Sequence, residues 1–211
     1  MAKIDYLYEI EAAAFDRMID PLNPMQPTGK LSRLSISWYQ EKIKEFGQPT
    51  AKQLLAEGKL RGRPFVGKLN MFIYRPKLFK KLPYYDTFPL VLPLEFYTDG
   101  FLGINFHYLE IPTRVKLLDE LARRYLNQPT AVYGAKINIT YDRIRNVRLI
   151  RPTLHKYLKG HVKSGFREVD APDFVAATVL PVQQFRAYQK SVSPDDVYRD
   201  SRQKGGLDYI G

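Results

Sequence analysis

Three histidines, His107, His155 and His161, have the widest chemical repertoire in this chain. An imidazole can ligate a metal or move a proton near neutral pH, but either task needs partners at fixed spacing. His155 and His161 are six residues apart and do not share a helical face. No HExxH, HxH or grouped carboxylates surround them. The expectation is therefore that no metal is bound, that His107 packs beside Tyr108 in a strand, and that the other two belong to a basic surface. A magnesium-dependent nuclease needs clustered carboxylates. The best pair is Asp86 followed by Glu95, yet a tyrosine, Tyr97, stands where a lysine would position the attacking water. Asp86 is expected to cap or turn the chain after Tyr85, and Glu95 to be solvated. There is no GxSxG elbow and no GxxxxGK[ST] phosphate loop. Gly58, Gly62 and Gly67 fit no nucleotide fingerprint and mark turns. The chain has no cysteine, which excludes disulfides, thiolate metal sites and cysteine nucleophiles. No enzyme, cofactor or small-molecule substrate is expected.

The cations carry a stronger signal. The formal charge is +11 over 211 residues, which favours polyanionic partners. Residues 141–167 hold Arg143, Arg145, Arg148, Arg151, Lys156, Lys159, Lys163 and Arg167 against the single acid Asp142. That density neutralises phosphates and releases counterions, giving sequence-tolerant, salt-sensitive binding. Tyr141 and Tyr157 lie among these charges, where a ring can stack on a base of a frayed end. A second basic stretch, residues 59–81, carries Lys59, Arg61, Arg63, Lys68, Arg75, Lys77, Lys80 and Lys81 with no acid. It fits a protein interface as well as nucleic acid.

Periodicity and punctuation give the elements that must position these groups. Residues 3–19 read as an acidic helix, followed by a linker broken by Pro21, Pro24 and Pro27. A second helix is predicted over 31–46, and Thr50 caps a third over 51–57 that stops at Gly58. Residues 1–58 read as a helical arm and linker, 59–204 as a basic core domain and 205–211 as a flexible tail. Val66 to Tyr74 reads as a strand. Residues 88–97 read as an edge or bulged strand because Pro89 and Pro93 interrupt them, and Asp99-Gly100 turns into a partner strand over 102–109. Helices are predicted from Ile111 to about Asn127, from Thr140 to Arg148, from Pro152 to about Gly160, and from Asp170 to Lys190 with a break at Pro181. In the third of these, His155 and Lys159 share a face. A short strand is placed near 165–169. Ser193-Pro194-Asp195-Asp196 has a capping serine, a first-turn proline and acids at the positive helix end. The fold class is α+β: a small, mostly antiparallel sheet near residues 66–109, packed by C-terminal helices. Met1-Ala2-Lys3-Ile4-Asp5 lacks a signal-like apolar run, and no stretch reaches membrane-span length, so no membrane partner is expected.

A longer pattern runs through residues 67–163. It includes Met71-Phe72-Ile73-Tyr74-Arg75-Pro76-Lys77, then Lys81-Leu82-Pro83-Tyr84-Tyr85-Asp86-Thr87-Phe88-Pro89-Leu90-Val91-Leu92-Pro93. It continues through Asp99-Gly100-Phe101-Leu102-Gly103-Ile104-Asn105-Phe106-His107-Tyr108-Leu109, Arg114-Val115-Lys116-Leu117-Leu118-Asp119, His155-Lys156-Tyr157-Leu158 and His161-Val162, with Asp200-Ser201-Arg202 near the end. This pattern resembles the DNA end protector, or head-completion, family of contractile-tailed bacteriophages. The resemblance implies a stoichiometric protector that binds the ends of packaged linear DNA and shields them from host exonuclease. It implies residence in the virion, assembly in the host cytoplasm and contact with other virion proteins. Tyr84, Tyr85, Asn105 and His107 then build the fold rather than react. Residues 1–58 have no counterpart in this pattern, and the resemblance supplies no site residues. The other reading is a structural subunit of the tail, baseplate or neck whose basic surface meets acidic neighbours.

Overall fold

The computed structural model describes residues 41, 43, 44, 47–127, 135–170 and 173–205. The helix expected over 3–19, most of that over 31–46 and the tail beyond 205 lie outside them. The first element is α1 (Ala51–Glu57). The Thr50 side chain accepts from the Gln53 backbone N–H, and the Gln53 side chain accepts in return from the Thr50 backbone N–H at 2.9 Å. This reciprocal box satisfies two orphan donors of a helix too short to stand alone. Leu54 and Leu55 of α1 enter the main core, so this part of the predicted arm packs on its own chain.

A six-stranded sheet organises the molecule, in the order β1 (Leu60–Arg61), β9 (Phe166–Val169), β2 (Leu69–Met71), β4 (Leu90–Tyr97), β5 (Gly100–Asn105), β8 (Leu154–Leu158), with every pair antiparallel. It lies where expected around residues 66–109 but also recruits β1 and two strands from 154–169. Of the two forms expected for this proline-interrupted strand, β4 takes the bulged one. The strand bulges, with a register shift between Pro93 and Glu95, but it is interior, flanked by β2 and β5. Within β4, only Leu90 and Val91 pair with β2, so the missing N–H of Pro93 costs no bond on that side. The bulge also changes which residues share a face. Pro93 pairs with Gly103 before it, and Phe96 pairs with Phe101 after it.

Alternation along the strands then separates two faces. Leu69, Met71, Leu90, Leu92 and Ile104 point to the main core, where α2 (Ile111–Tyr125) and α4 (Phe174–Val179) pack against each other. Pro112 occupies the first turn of α2 as expected. Phe72, Tyr74, Val91, Phe101, Tyr157 and Phe166 form an aromatic cluster on the opposite face. The crossover from β8 to β9 closes this cluster: Val162 packs on it, Tyr74 bridges to Val162, and the Lys163 N–H donates to the Ile73 carbonyl at 2.8 Å.

Two smaller sheets complete the fold: β3 (Tyr85–Asp86), β10 (Phe185–Ala187) and β11 (Lys190–Ser191) in the order β11-β10-β3, and β6 (Leu126–Asn127) with β7 (Lys136–Ile137). Three predicted helices change. Thr140 precedes only the single turn α3 (Tyr141–Ile144) and makes no side-chain cap. Pro152 lies inside a 3-10 segment, Arg148–Thr153, and the residues after it are strand β8. The helix expected to resume after Pro181 is the β10–β11 hairpin. The start at Ser193-Pro194 is as read: α5 spans Pro194–Gly205, and the Asp195 N–H donates to the Ser193 hydroxyl at 3.2 Å. Among the described residues no helix is long and apolar enough to cross a membrane.

Gly100 opens β5 directly against β8. A Cβ there would collide with the backbone carbonyl of Tyr157. Gly62, by contrast, has nothing within 4 Å of such an atom. We expect Gly100→Ala to lower unfolding stability by about 1–3 kcal/mol, and Gly62→Ala to change it by less than about 0.5 kcal/mol, read from urea midpoints at constant m-value.

Candidate nucleic-acid interface

The structure sorts the eight cations proposed from sequence. Arg143, Arg145, Arg148, Arg151, Lys156, Lys159 and Lys163 are exposed. Some of their charge is already engaged. Arg145 lies 3.4 Å from Asp142, Lys156 lies 2.8 Å from Asp99 and 5.0 Å from the centre of the Tyr97 ring, and Arg143 lies 5.9 Å from the Tyr125 ring. Arg167 is different, being only 2% exposed. Its guanidinium donates to the Leu54 carbonyl and approaches Glu57 at 3.8 Å, anchoring α1 to β9. It is an internal clamp and not part of the exposed surface.

Two tyrosines and one helical face also move. Tyr157 is buried in the aromatic cluster, so its ring is not free to stack on a base, and Tyr141 is half-buried. His155 and Lys159 share no helical face, since His155 lies in strand β8 and Lys159 in the 3-10 turn that follows it. In the 59–81 stretch Lys68 is buried between Glu168, at 2.5 Å, and Asp170. Burial alone would lower the Lys68 ammonium, but those two carboxylates outweigh it and hold the group above its ordinary value.

A feature that single segments do not reveal is an open groove of about 690 Å³. The chain after β2 lines it with Ile73, Arg75 and Phe79, the crossover with Lys163, and the β10–β11 hairpin with Arg186, Tyr188, Gln189 and Lys190. Four cations from three segments meet here, and no carboxylate lines the groove. None of the four forms an ion pair among the described residues. The walls are set by backbone pairing. The Arg75 N–H donates to the His161 carbonyl at 3.1 Å, the Ile73 N–H donates to the Ser164 hydroxyl at 2.8 Å, and Arg186 pairs with Tyr85 across β10 and β3. Ala187 pairs with Lys190, leaving Tyr188 and Gln189 as a two-residue turn. Gln189 has φ 61, a left-handed conformation that residues with side chains adopt uncommonly. This turn holds the Tyr188 ring 6.1 Å from Phe79 and 5.4 Å from the Lys80 ammonium, while the Arg75 guanidinium sits 4.0 Å from the Phe79 ring.

A second depression of about 410 Å³ adjoins the groove through Tyr74 and Tyr85, which line both. Tyr84, Tyr108, His155 and Asp86 are among its walls. Asp86 does more than cap the turn. One oxygen accepts from the Phe88 N–H at 3.0 Å and the Gln184 N–H at 3.2 Å; the other meets His107 Nδ1 at 2.8 Å and the Asn105 amide at 3.3 Å. Burial by itself would raise the Asp86 carboxyl, but His107 and the two backbone donors outweigh it and hold it below the usual range. Burial, reinforced by the nearby Arg114 cation, keeps the His107 imidazole below its ordinary value despite the pull of Asp86. His107 Nδ1 thus faces the Asp86 carboxyl group, and both side chains are buried. Arg114 is enclosed beside them, donating to the Leu109 carbonyl at 2.7 Å and the Tyr198 hydroxyl at 2.7 Å. Glu95 is exposed as expected, accepting from the Tyr97 hydroxyl at 2.7 Å, and shares none of this setting. Among the described residues no group of three or more His, Cys, Asp and Glu could hold a metal ion.

Fold and site together define a cationic α+β protein with a ring-bearing basic groove on the aromatic face of an antiparallel sheet. The chain belongs to the Phage T4 terminal DNA protecting protein family, whose model matches residues 25–201. This agrees with the resemblance read from residues 67–163 and extends it into the segment that had no counterpart there. No curated protein and no solved structure matches the chain.

The histidines give this part of the molecule a pH signature. Burial pushes the half-buried His155 imidazole down to about 4, and His107 is also lowered. In the unfolded chain both take up a proton as pH falls below 6.5, while the folded protein resists. Their contribution is therefore complete above pH 6.5 and declines as pH drops toward 4. We expect the urea midpoint to fall over that interval, and His155→Gln to flatten the fall.

Proposed function

We propose that this protein binds the ends of linear phage DNA stoichiometrically, as a minor component of the virion, and performs no chemistry on them. The observation that carries the reading is the family match over most of the chain. The surface supports it: Arg148, Arg151, Lys159 and Lys163 are exposed with no ion pair among the described residues. Cations of this kind grip phosphates and position a duplex without reading its sequence. The Asp86–His107 pair is buried, with Asp86 3% and His107 0% exposed, and its polar atoms are largely spent on internal hydrogen bonds, which suits a structural part in the fold. Shielding of the ends from exonuclease and completion of the filled head follow from this placement, with neighbouring virion proteins as further partners.

The test is competition against a labelled short duplex by a closed circle, by the same circle cut once and by the same DNA cut many times, all at equal base-pair mass. Competition should grow with the number of ends. Arg148→Ser with Arg151→Ser should weaken binding to all three and reduce the steepness of salt dependence by about one unit of log–log slope for each phosphate no longer neutralised. Equal competition by circle and fragments would count against end binding.

A further inference from the structure

We propose that the groove between the β10–β11 hairpin and the chain after β2 takes the terminal nucleotide of a DNA strand, with its phosphates on Arg75, Lys163, Arg186 and Lys190 and its base against Tyr188. This deepens the DNA-end reading and rests on it. Surface cations alone cannot tell an end from the middle of a duplex, because phosphates are presented all along the helix. An end differs in offering the face of a base, which an aromatic ring can cover. The groove is built for both. Its four cations converge without a lining carboxylate. Tyr188 is 43% exposed at the tip of the hairpin, held there by the left-handed Gln189. Phe79 and the Lys80 ammonium flank the ring and limit where it can turn. A volume of about 690 Å³ falls in the range of clefts that hold single small ligands.

Lys163 joins this groove to the rest of the basic surface. It is the one groove cation that belongs to the 141–167 cluster. The adjoining depression, which shares Tyr74 and Tyr85 with the groove, is lined in part by Pro152 and Lys156. A duplex resting on Arg148, Arg151 and Lys159 would thus deliver its end toward the groove, giving the cluster affinity and the groove discrimination.

The experiment measures, for the full chain, the affinity for a short 5′-phosphorylated linear duplex and for a closed circle of the same sequence. The variants are Tyr188→Ala, Tyr188→Phe, Arg186→Ser with Lys190→Ser, and Arg148→Ser with Arg151→Ser. All these residues are exposed, and an unchanged urea midpoint checks that each variant folds. Tyr188→Ala should cost about tenfold on the linear duplex and leave the circle unaffected, while Tyr188→Phe keeps the preference because the ring remains. The Arg186/Lys190 pair should likewise collapse the linear-to-circle ratio, and the Arg148/Arg151 pair should lower both affinities together. A wild-type preference that survives Tyr188→Ala and the Arg186/Lys190 change would overturn the groove assignment while leaving end binding intact. A wild-type protein with no preference for the linear form would overturn both.

Discussion

One buried carboxylate ties the two main sheets together. Asp86 lies on β3, in the three-stranded sheet, and Asn105, one of its donors, ends β5 in the six-stranded one. Gln184, another donor, leads directly into β10. A charge this deeply enclosed is tolerated only when its oxygens are filled by hydrogen bonds, and here two backbone N–H groups, an amide and an imidazole fill them. The same bonds fix the hairpin that carries Arg186, Tyr188 and Lys190. The exposed groove thus inherits its geometry in part from a buried interaction behind it. Removing the carboxylate would strand His107 and two backbone donors at once, and such unfilled polar groups are costly.

The distribution of positive charge follows from the way the sheet is closed. The helical face needs apolar residues and uses cations only as clamps: Arg167 binds α1 to β9, and Arg114 fastens the chain after β5 to α5 through Tyr198. The aromatic face is closed by a crossover of few residues, and cations collect beside it. Lys159 and Lys163 lie on that crossover, and Arg75 pairs with it. A surplus of +11 is therefore neither uniform nor wholly available to a partner.

Where a local signal governs local structure, the sequence was legible. The Thr50 cap and the Ser193-Pro194 start stand as read, and the hairpin expected at Asp99-Gly100 forms with its turn one residue earlier, at Thr98-Asp99, because each is decided within a few residues. Residues 154–158 were not legible in that way. LHKYL follows a proline suited to a first helical turn, and only pairing with β5 makes it a strand. The β10–β11 hairpin was hidden because its turn uses Gln189 where glycine or asparagine would announce it. Charge was harder still. Lys68 and Arg167 look like Lys163 in sequence, and their carboxylate partners lie partly in distant segments. The groove was invisible because its walls come from three separate stretches of chain.

A protein that occupies DNA ends should protect them and leave the rest of the duplex open. The decisive measurement is exonuclease digestion of a linear duplex preincubated with rising amounts of the protein, with an endonuclease that cuts internally run in parallel. We expect exonuclease digestion to stop once about one protein molecule is bound per end, while internal cutting continues unchanged. Slowing of both nucleases together, and only at protein levels that coat the whole duplex, would be incompatible with end occupancy.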